Sequence, residues 1–332
     1  MGALSFHPIY QKRIWGGDNL WRVLGRNVHK EGRIGESWEI VDRDEAMSVV
    51  DEGPMAGYSL RDLLKWHTEF LMGPGYPPNT PFPILVKWLD CQQRVSLQVH
   101  PSDEVAARLG GQPKAEHWYI ATATSSAGVF IGLKDNVTHS QLEATLQSPA
   151  VESLICRQPT QSGDSIFVPS GCLHAIDAGN IILEIQQNSD TTYRIYDWGR
   201  LGSDGKPRPL HLDAALQSID FENATPVIQT PKRGTQCLAD CPAFRIRKCD
   251  LYPGRHPLSL AAGEQPRLLH IIEGQVEATT TTLEQSRSSI ASVILEKGRN
   301  ALLPFLDSFS LRAVARKAVV LITDNFYNPL CP

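Results

Sequence analysis

The sequence predicts a mainly β protein: two β-barrels in tandem, with short helices packed on the first. Three observations support this. Short apolar runs bounded by Gly, Pro, Asn or Asp recur along the 332 residues, as strands and their turns do. The spacing G-x5-P occurs twice, from Gly163 to Pro169 and from Gly298 to Pro304, the second time in a β-rich stretch. Between the two copies, Pro226 to Pro231 reads as a linker. The expected division is therefore a first barrel over residues 1–224 and a second over 225–332.

Composition narrows the class. Hydrophobic residues make up 42% and charged residues 20%, as in ordinary globular proteins. A net charge of −4, without basic clusters among aromatics, gives no reason to expect nucleic acid or an anionic membrane as partner. No apolar run is long enough to span a bilayer. The opening MGALSFHPIYQKRIWGG lacks the apolar core of a secretory signal, and Gly2 lacks the context for myristoylation. The seven cysteines are scattered. Cys91 and Cys172 sit in apolar runs, and Cys237 and Cys241 have no second pair to complete a zinc site. A cytoplasmic protein with reduced thiols is expected, monomeric or weakly self-associating.

Taken in order, Trp15, Gly16 and Gly17 read as a turn covering one barrel end. GESWEIVD, 35–42, reads as a strand in which Glu36 and Glu39 are structural. Ser59 caps a helix with Asp62 at the capping-box position, and Leu60, Leu63, Leu64 and Trp66 form its buried stripe. PILVKWLD, 83–90, is an apolar strand carrying Lys87, which must either snorkel to solvent or reach a partner in the barrel mouth. Short helices follow from Pro101 to Leu109, capped by Ser102, and from Ser140 to Gln147. KAEHWYIATA, 114–123, Val129 to Leu133 and Asn180 to Gln187 read as strands. Thr191 to Tyr196 is extended, and 210–221 is a helix with Leu212, Ala215, Leu216 and Ile219 inward.

The chemistry centres on Ser96 to Tyr119, SLQVHPSDEVAARLGGQPKAEHWY. Alternation on a strand puts Ser96, Gln98 and His100 on one face. In KAEHWY, Lys114, Glu116 and Trp118 share a face and His117 points away. Downstream, GDSIFVPSGCLH ends on His174 after a turn at Pro169 and Gly171. The spacing G-x5-P-x-G-x2-H resembles the second sequence signature of the cupins, small jelly-roll barrels that hold a metal in their mouth. Where that signature continues to Asn, this chain has Ala178. Gln98, His100, Glu116 and His174 make a mixed nitrogen and oxygen set that suits one Zn²⁺ per chain, with positions left for water or substrate. The alternative is a group of separately satisfied polar side chains.

The stretches RIWGGDNL, GESWE, FPILVKWLD, SLQVHPSD, KAEHWY, GDSIFVPSGCLHA and EIQQNSDTTYRIYDWGR are similar to the type I mannose-6-phosphate isomerases of the short bacterial form. They cover about the first 215 residues in that family's order. The resemblance implies two cupin barrels, the second without a metal. It also implies a zinc-dependent exchange of mannose 6-phosphate and fructose 6-phosphate through a cis-enediol. Lys87 would then reach the barrel mouth and Ser96 would join it in binding substrate. Lys114, Asp190 and Glu184 are the candidates for the base. Lys114 is favoured because a lysine beside a dication loses its proton more readily. Arg194 suits phosphate or the enediolate through its two-pronged donor edge. A cupin isomerase for another sugar, an iron dioxygenase and a non-catalytic sugar sensor are the rival readings. A glutamine ligand argues against the dioxygenase, and Lys114, Asp190 and Arg194 argue against the sensor.

Overall fold

The computed structural model describes residues 1–26, 32–202, 204–222, 225–284 and 287–327, and the chain divides into two compact units. One holds residues 10–37 and 86–230; the other holds 1–9, 38–85 and 231–332. The expected division was a single cut at 224/225. The compact units instead interleave along the chain, and two early segments belong with the C-terminal residues.

In the unit of residues 10–37 and 86–230, a five-stranded antiparallel sheet runs in the order Ile155–Pro159, Gly128–Leu133, His174–Ile176, Leu97–Val99, Tyr193–Tyr196. It faces a second sheet that contains Ser165–Val168, Glu116–Ala123 and Asn180–Gln187. Between them lies an apolar layer that includes Trp15, Leu89, Trp118, Ile120, Ile131, Ile166, Ile176 and Ile182. The outer face of the five-stranded sheet buries Leu97, Val99, Phe130 and Ala175 under short helices that supply Leu142, Val151 and Ala215. These helices are brief because each needs to cover only one stripe of a sheet. Their ends are built locally. Ser102 caps Asp103–Leu109, and Thr138 with Gln141 forms a reciprocal capping box on His139–Thr145.

Two local expectations change. Gly16 and Gly17 do not turn; they finish the strand Ile9–Gly17. A Cβ at Gly16 would stand 2.4 Å from the backbone nitrogen of Gly35 in the neighbouring strand, so only glycine fits there. The expected linker, Pro226 to Pro231, does contain the boundary between the units at 230/231, and within it Ser165 and Gln229 exchange backbone hydrogen bonds at 2.9 and 2.8 Å. Lastly, Trp66 is not part of a buried stripe.

That tryptophan belongs to the other unit, on the helix Leu60–Met72, and is 55% exposed. At 100° per residue position 66 lies about 120° from the Leu60 direction, so it leaves the face shared by Leu60, Leu63, Leu64 and Leu71. Its ring meets Tyr58 edge-on at 5.6 Å. Leu71 and Phe70 at the helix end accept backbone hydrogen bonds from Phe305 and Leu306. The second barrel consists of a six-stranded sheet, in which Leu4–Ser5 pairs with Asn300–Leu303, and a four-stranded one. Its core includes Leu269, Ile271, Val276, Leu303, Leu311, Val320 and Ile322. The G-x5-P repeat at 298–304 leads into Asn300–Leu303, as the first copy leads into Ser165–Val168.

A buried polar cluster in this barrel makes its stability depend on pH. His270 is fully buried and bonds Asn300 Oδ1 at 2.8 Å and Thr323 Oγ1 at 2.9 Å. Burial lowers its pKa to about 4. The folded protein therefore takes up this proton only below the range in which the unfolded chain does. The contribution is present above about pH 6.5 and is lost as pH falls towards 4, with roughly 3 kcal/mol at stake. Denaturant titrations between pH 7 and 4 should show a shallower acid loss for His270→Gln than for the parent. Identical slopes would dismiss His270 as the cause.

Candidate metal centre and active site

Three expected ligands converge in the interior of the first barrel. Gln98 and His174 are register partners on adjacent strands, and His100 follows directly after Leu97–Val99. Glu116 opens the strand Glu116–Ala123. One donor atom each of His100, Glu116 and His174 lies within 4.8 Å of the others, and all three residues are 1% exposed. Gln98 completes the group, its amide 3.4 Å from Nε2 of His174. His117 turns to the opposite side and bonds Ser165 Oγ at 2.6 Å, as expected of a non-ligand.

The hydrogen bonds fix how the imidazoles face. Nδ1 of His100 lies 3.0 Å from the carbonyl of Thr191, and Nδ1 of His174 lies 2.9 Å from that of Cys172. A carbonyl only accepts, so each Nδ1 carries the proton and each Nε2 keeps its lone pair. Those Nε2 atoms face the Glu116 carboxylate at 3.3 and 3.4 Å. Burial, then the charge of Lys114, lowers the pKa of His100 to about 3; burial likewise lowers that of His174. Both rings are thus neutral. Lone pairs and carboxylate oxygens point at one another, and neither oxygen of Glu116 receives a properly directed hydrogen bond, although Lys114 Nζ approaches to 2.7 Å. The Lys114 ammonium, which also stands 3.2 Å from Nε2 of His100, and the Gln98 amide facing His174 meet part of this acceptor set. Two imidazole Nε2 atoms and a carboxylate converging in a dry interior are nevertheless a donor set that can hold a metal ion.

Around this set lies a cavity of about 570 Å³, a size suited to a small ligand. Every expected substrate or proton-transfer residue borders it: Lys87, Ser96, Lys114, Glu184, Asp190 and Arg194. Lys87 does not reach solvent; its side chain is 5% exposed and stands 3.5 Å from Glu184 and 4.0 Å from Asp190. Lys114 lies 4.0 Å from Glu184. Burial works against the Lys114 charge, but Glu116, Glu184 and Asp190 outweigh it and raise its pKa. Glu116 is driven well below the ordinary range, burial being overcome by Lys114 and the imidazoles. Glu184 moves the other way, raised by burial. Arg194 donates from Nε to Ser96 Oγ at 3.2 Å and from Nη1 to the carbonyl of Pro209 at 2.9 Å.

Some cavity residues had no signal in the sequence. Glu36, expected to be structural, borders the cavity in a two-bond pair with Arg13, at 2.9 and 3.0 Å. Arg208 borders it too, from a stretch without regular structure. Only the pairing of distant segments brings such residues together.

Residues 4–113 match the family described as phosphomannose isomerase type I, catalytic domain. The chain is 36% identical to the probable mannose-6-phosphate isomerase GmuF of Bacillus subtilis over 231 residues, 69% of this chain and 71% of the relative. It is 34% identical to mannose-6-phosphate isomerase ManA of the same organism over 279 residues, 82% of this chain and 86% of the relative. The chain belongs to the type I phosphomannose isomerases. The crystal structure of the mannose 6-phosphate isomerase from Bacillus subtilis has the same architecture, with a TM-score of 0.83 at 28% identity, covering 97% of this chain and 99% of that one. The two-barrel cupin fold expected from the sequence is thereby established, and so is the enzyme class, an aldose–ketose isomerase for mannose 6-phosphate. His100, Glu116 and His174 are the candidate metal ligands of this phosphomannose isomerase. Among the described residues, no helix is long and apolar enough to cross a membrane.

Proposed function

We propose that this isomerase exchanges mannose 6-phosphate and fructose 6-phosphate with one Zn²⁺ per chain, moving a proton between C1 and C2 through a cis-enediol. The observation that carries the metal is the convergence of two imidazole Nε2 atoms and the Glu116 carboxylate, all buried and within 4.8 Å of one another. Gln98, His100, Glu116 and His174 would hold the ion, and this mixed nitrogen and oxygen set suits zinc. When bound, it would supply a Lewis acid for the substrate oxygens, leaving the site about +1 in charge.

The remaining roles fall to the chain's own groups. Glu184 is assigned the carbon-bound proton. Its buried carboxylate has a raised pKa and is therefore a stronger base than an ordinary one. Lys114, the favoured base on sequence grounds, is held protonated by three carboxylates and is better placed to donate to a substrate oxygen. Lys87 holds Glu184 from the other side, with Asp190 beside it nearer solvent. Ser96 and Arg194 form a hydrogen-bonded pair that reaches Gln98, since Ser96 Oγ donates to Gln98 Oε1 at 3.3 Å. That link sets Arg194 towards the oxygens on which charge develops.

A coupled assay for fructose 6-phosphate on chelator-stripped and zinc-restored protein tests the reading. Stripping should lower the rate by at least about a hundredfold and zinc should restore it. Full activity without metal would remove zinc from the mechanism, and recovery with iron but not zinc would replace it. Arg194→Lys keeps the charge but loses the planar fork, so turnover should fall at least about tenfold with a smaller change in KM. Unchanged turnover would return Arg194 to a purely structural role.

A further inference from the structure

Two arginines border the cavity and are held in different ways. Arg194 is joined to the ligand set through Ser96 and Gln98. Arg208 has no such link. Its Nε and Nη2 grip the Asp197 carboxylate at 2.7 and 2.6 Å, while its Nη1 makes no hydrogen bond among the described residues. Asp197 is 6% exposed and also receives Nη2 of Arg200, so its oxygens are fully engaged. Arg200 spends its other donors on the carbonyls of Arg94 and Asp197.

The turn after Asp197 is costly. Trp198 and Gly199 both adopt left-handed backbone, with φ of 58° and 71°. A bulky aromatic residue seldom accepts that conformation. Here it is held by a 2.8 Å bond from Trp198 Nε1 to the carbonyl of Val95 and by the Arg94 guanidinium, 4.4 Å above the ring. With Nε and Nη2 taken by Asp197, Arg208, which borders the cavity, keeps Nη1 for a further acceptor. Arg194 and Arg208 border the cavity beside the exposed Asp204, and Arg200 stands behind them on Asp197, so the three guanidiniums exceed these two carboxylates by one charge. A clamped guanidinium with unused donors on such a wall matches the oxygens of a phosphate group.

We propose that Arg208 recognises the phosphate group of the substrate and that Asp197 is the positioning residue that presents it, leaving Arg194 to the reacting oxygens. The proposal rests on the isomerase reading above. Steady-state kinetics on the zinc-loaded full chain, with inorganic phosphate as competing inhibitor, test it. Arg208→Gln should raise KM for mannose 6-phosphate at least about tenfold, with turnover within about threefold, the pattern of a group that binds ground and transition states alike. The inhibition constant for phosphate should rise in parallel. Arg208→Lys should recover part of the loss, and Asp197→Asn should shift the same two constants less. An unchanged KM and phosphate constant in Arg208→Gln would overturn the assignment, as would a loss confined to turnover. If the parent itself made no fructose 6-phosphate, the isomerase reading would fail instead. Calorimetric titration of phosphate into parent and Arg208→Gln would then decide on Arg208 alone, equal affinities or no binding to the parent counting against it.

Discussion

Replacing His174 by alanine should leave a folded protein that holds almost no metal and has lost at least about a hundredfold in isomerase rate. Even partners that merely orient a ligand cost ten- to a hundredfold when removed, and His174 supplies a donor itself. Its ring is fixed on one side by the carbonyl of Cys172 and on another by the edge of Trp118, centroids 5.4 Å apart. The variant loses those contacts and one donor, but the apolar layer between the sheets remains. Circular dichroism should therefore match the parent while metal analysis after dialysis falls from about one ion per chain towards none. Parent-like metal content would show that His174 is not a ligand.

Glu184→Gln should be the most damaging change that leaves the metal in place. Glutamine keeps the size and the hydrogen-bonding oxygen but cannot take a proton, and a general base contributes about 10²–10⁴ in rate. Turnover should fall by that order with KM changed little. The neighbouring lysines also lose an anionic partner, since Lys87 and Lys114 stand 3.5 and 4.0 Å from this carboxylate. Asp190→Asn is the comparison. Its side chain is 48% exposed and, among the described residues, its ion pair is with Lys87 alone, at 4.0 Å, so its effect should be smaller. If Asp190→Asn proved the more harmful, the base would have to be reassigned to it.

Much of the site was legible because its parts lie at short, rigid spacings. Gln98 and His100 stand two apart at one strand end, and the turn before His174 is written in Pro169 and Gly171. Neither depends on long-range packing. Lys87 was half legible: a lysine in an apolar strand demands a partner, but nothing local says on which side it lies. Arg208 was not legible at all. Its place depends on Asp197, eleven positions earlier across a turn with two left-handed residues, one of them a tryptophan that no turn rule would choose. Glu36 was read as structural, which its pair with Arg13 agrees with, but its place on the cavity was not legible, because Arg13 sits on a separate strand. In the fold, strands and caps followed from alternation and from Ser59 and Ser102, whereas the split of the chain into units did not. Composition shifts mark linkers, and no linker separates 38–85 from what flanks it.

That interleaving bears on how the chain is made. During synthesis the strand Leu4–Ser5 emerges early, but its pairing partner Asn300–Leu303 comes almost three hundred residues later. The helix Leu60–Met72 waits similarly for Phe305 and Leu306. Until then the carbonyls of Phe70 and Leu71 lack the backbone donors that meet them in the folded chain. Contacts this distant in sequence close slowly. The segment 10–37 with 86–230 meets no such delay, for all of its strands are present once residue 230 has been added. The half that carries the candidate metal site can thus mature while the other half is still waiting for its last strands, and no single cut of the gene would yield either half intact.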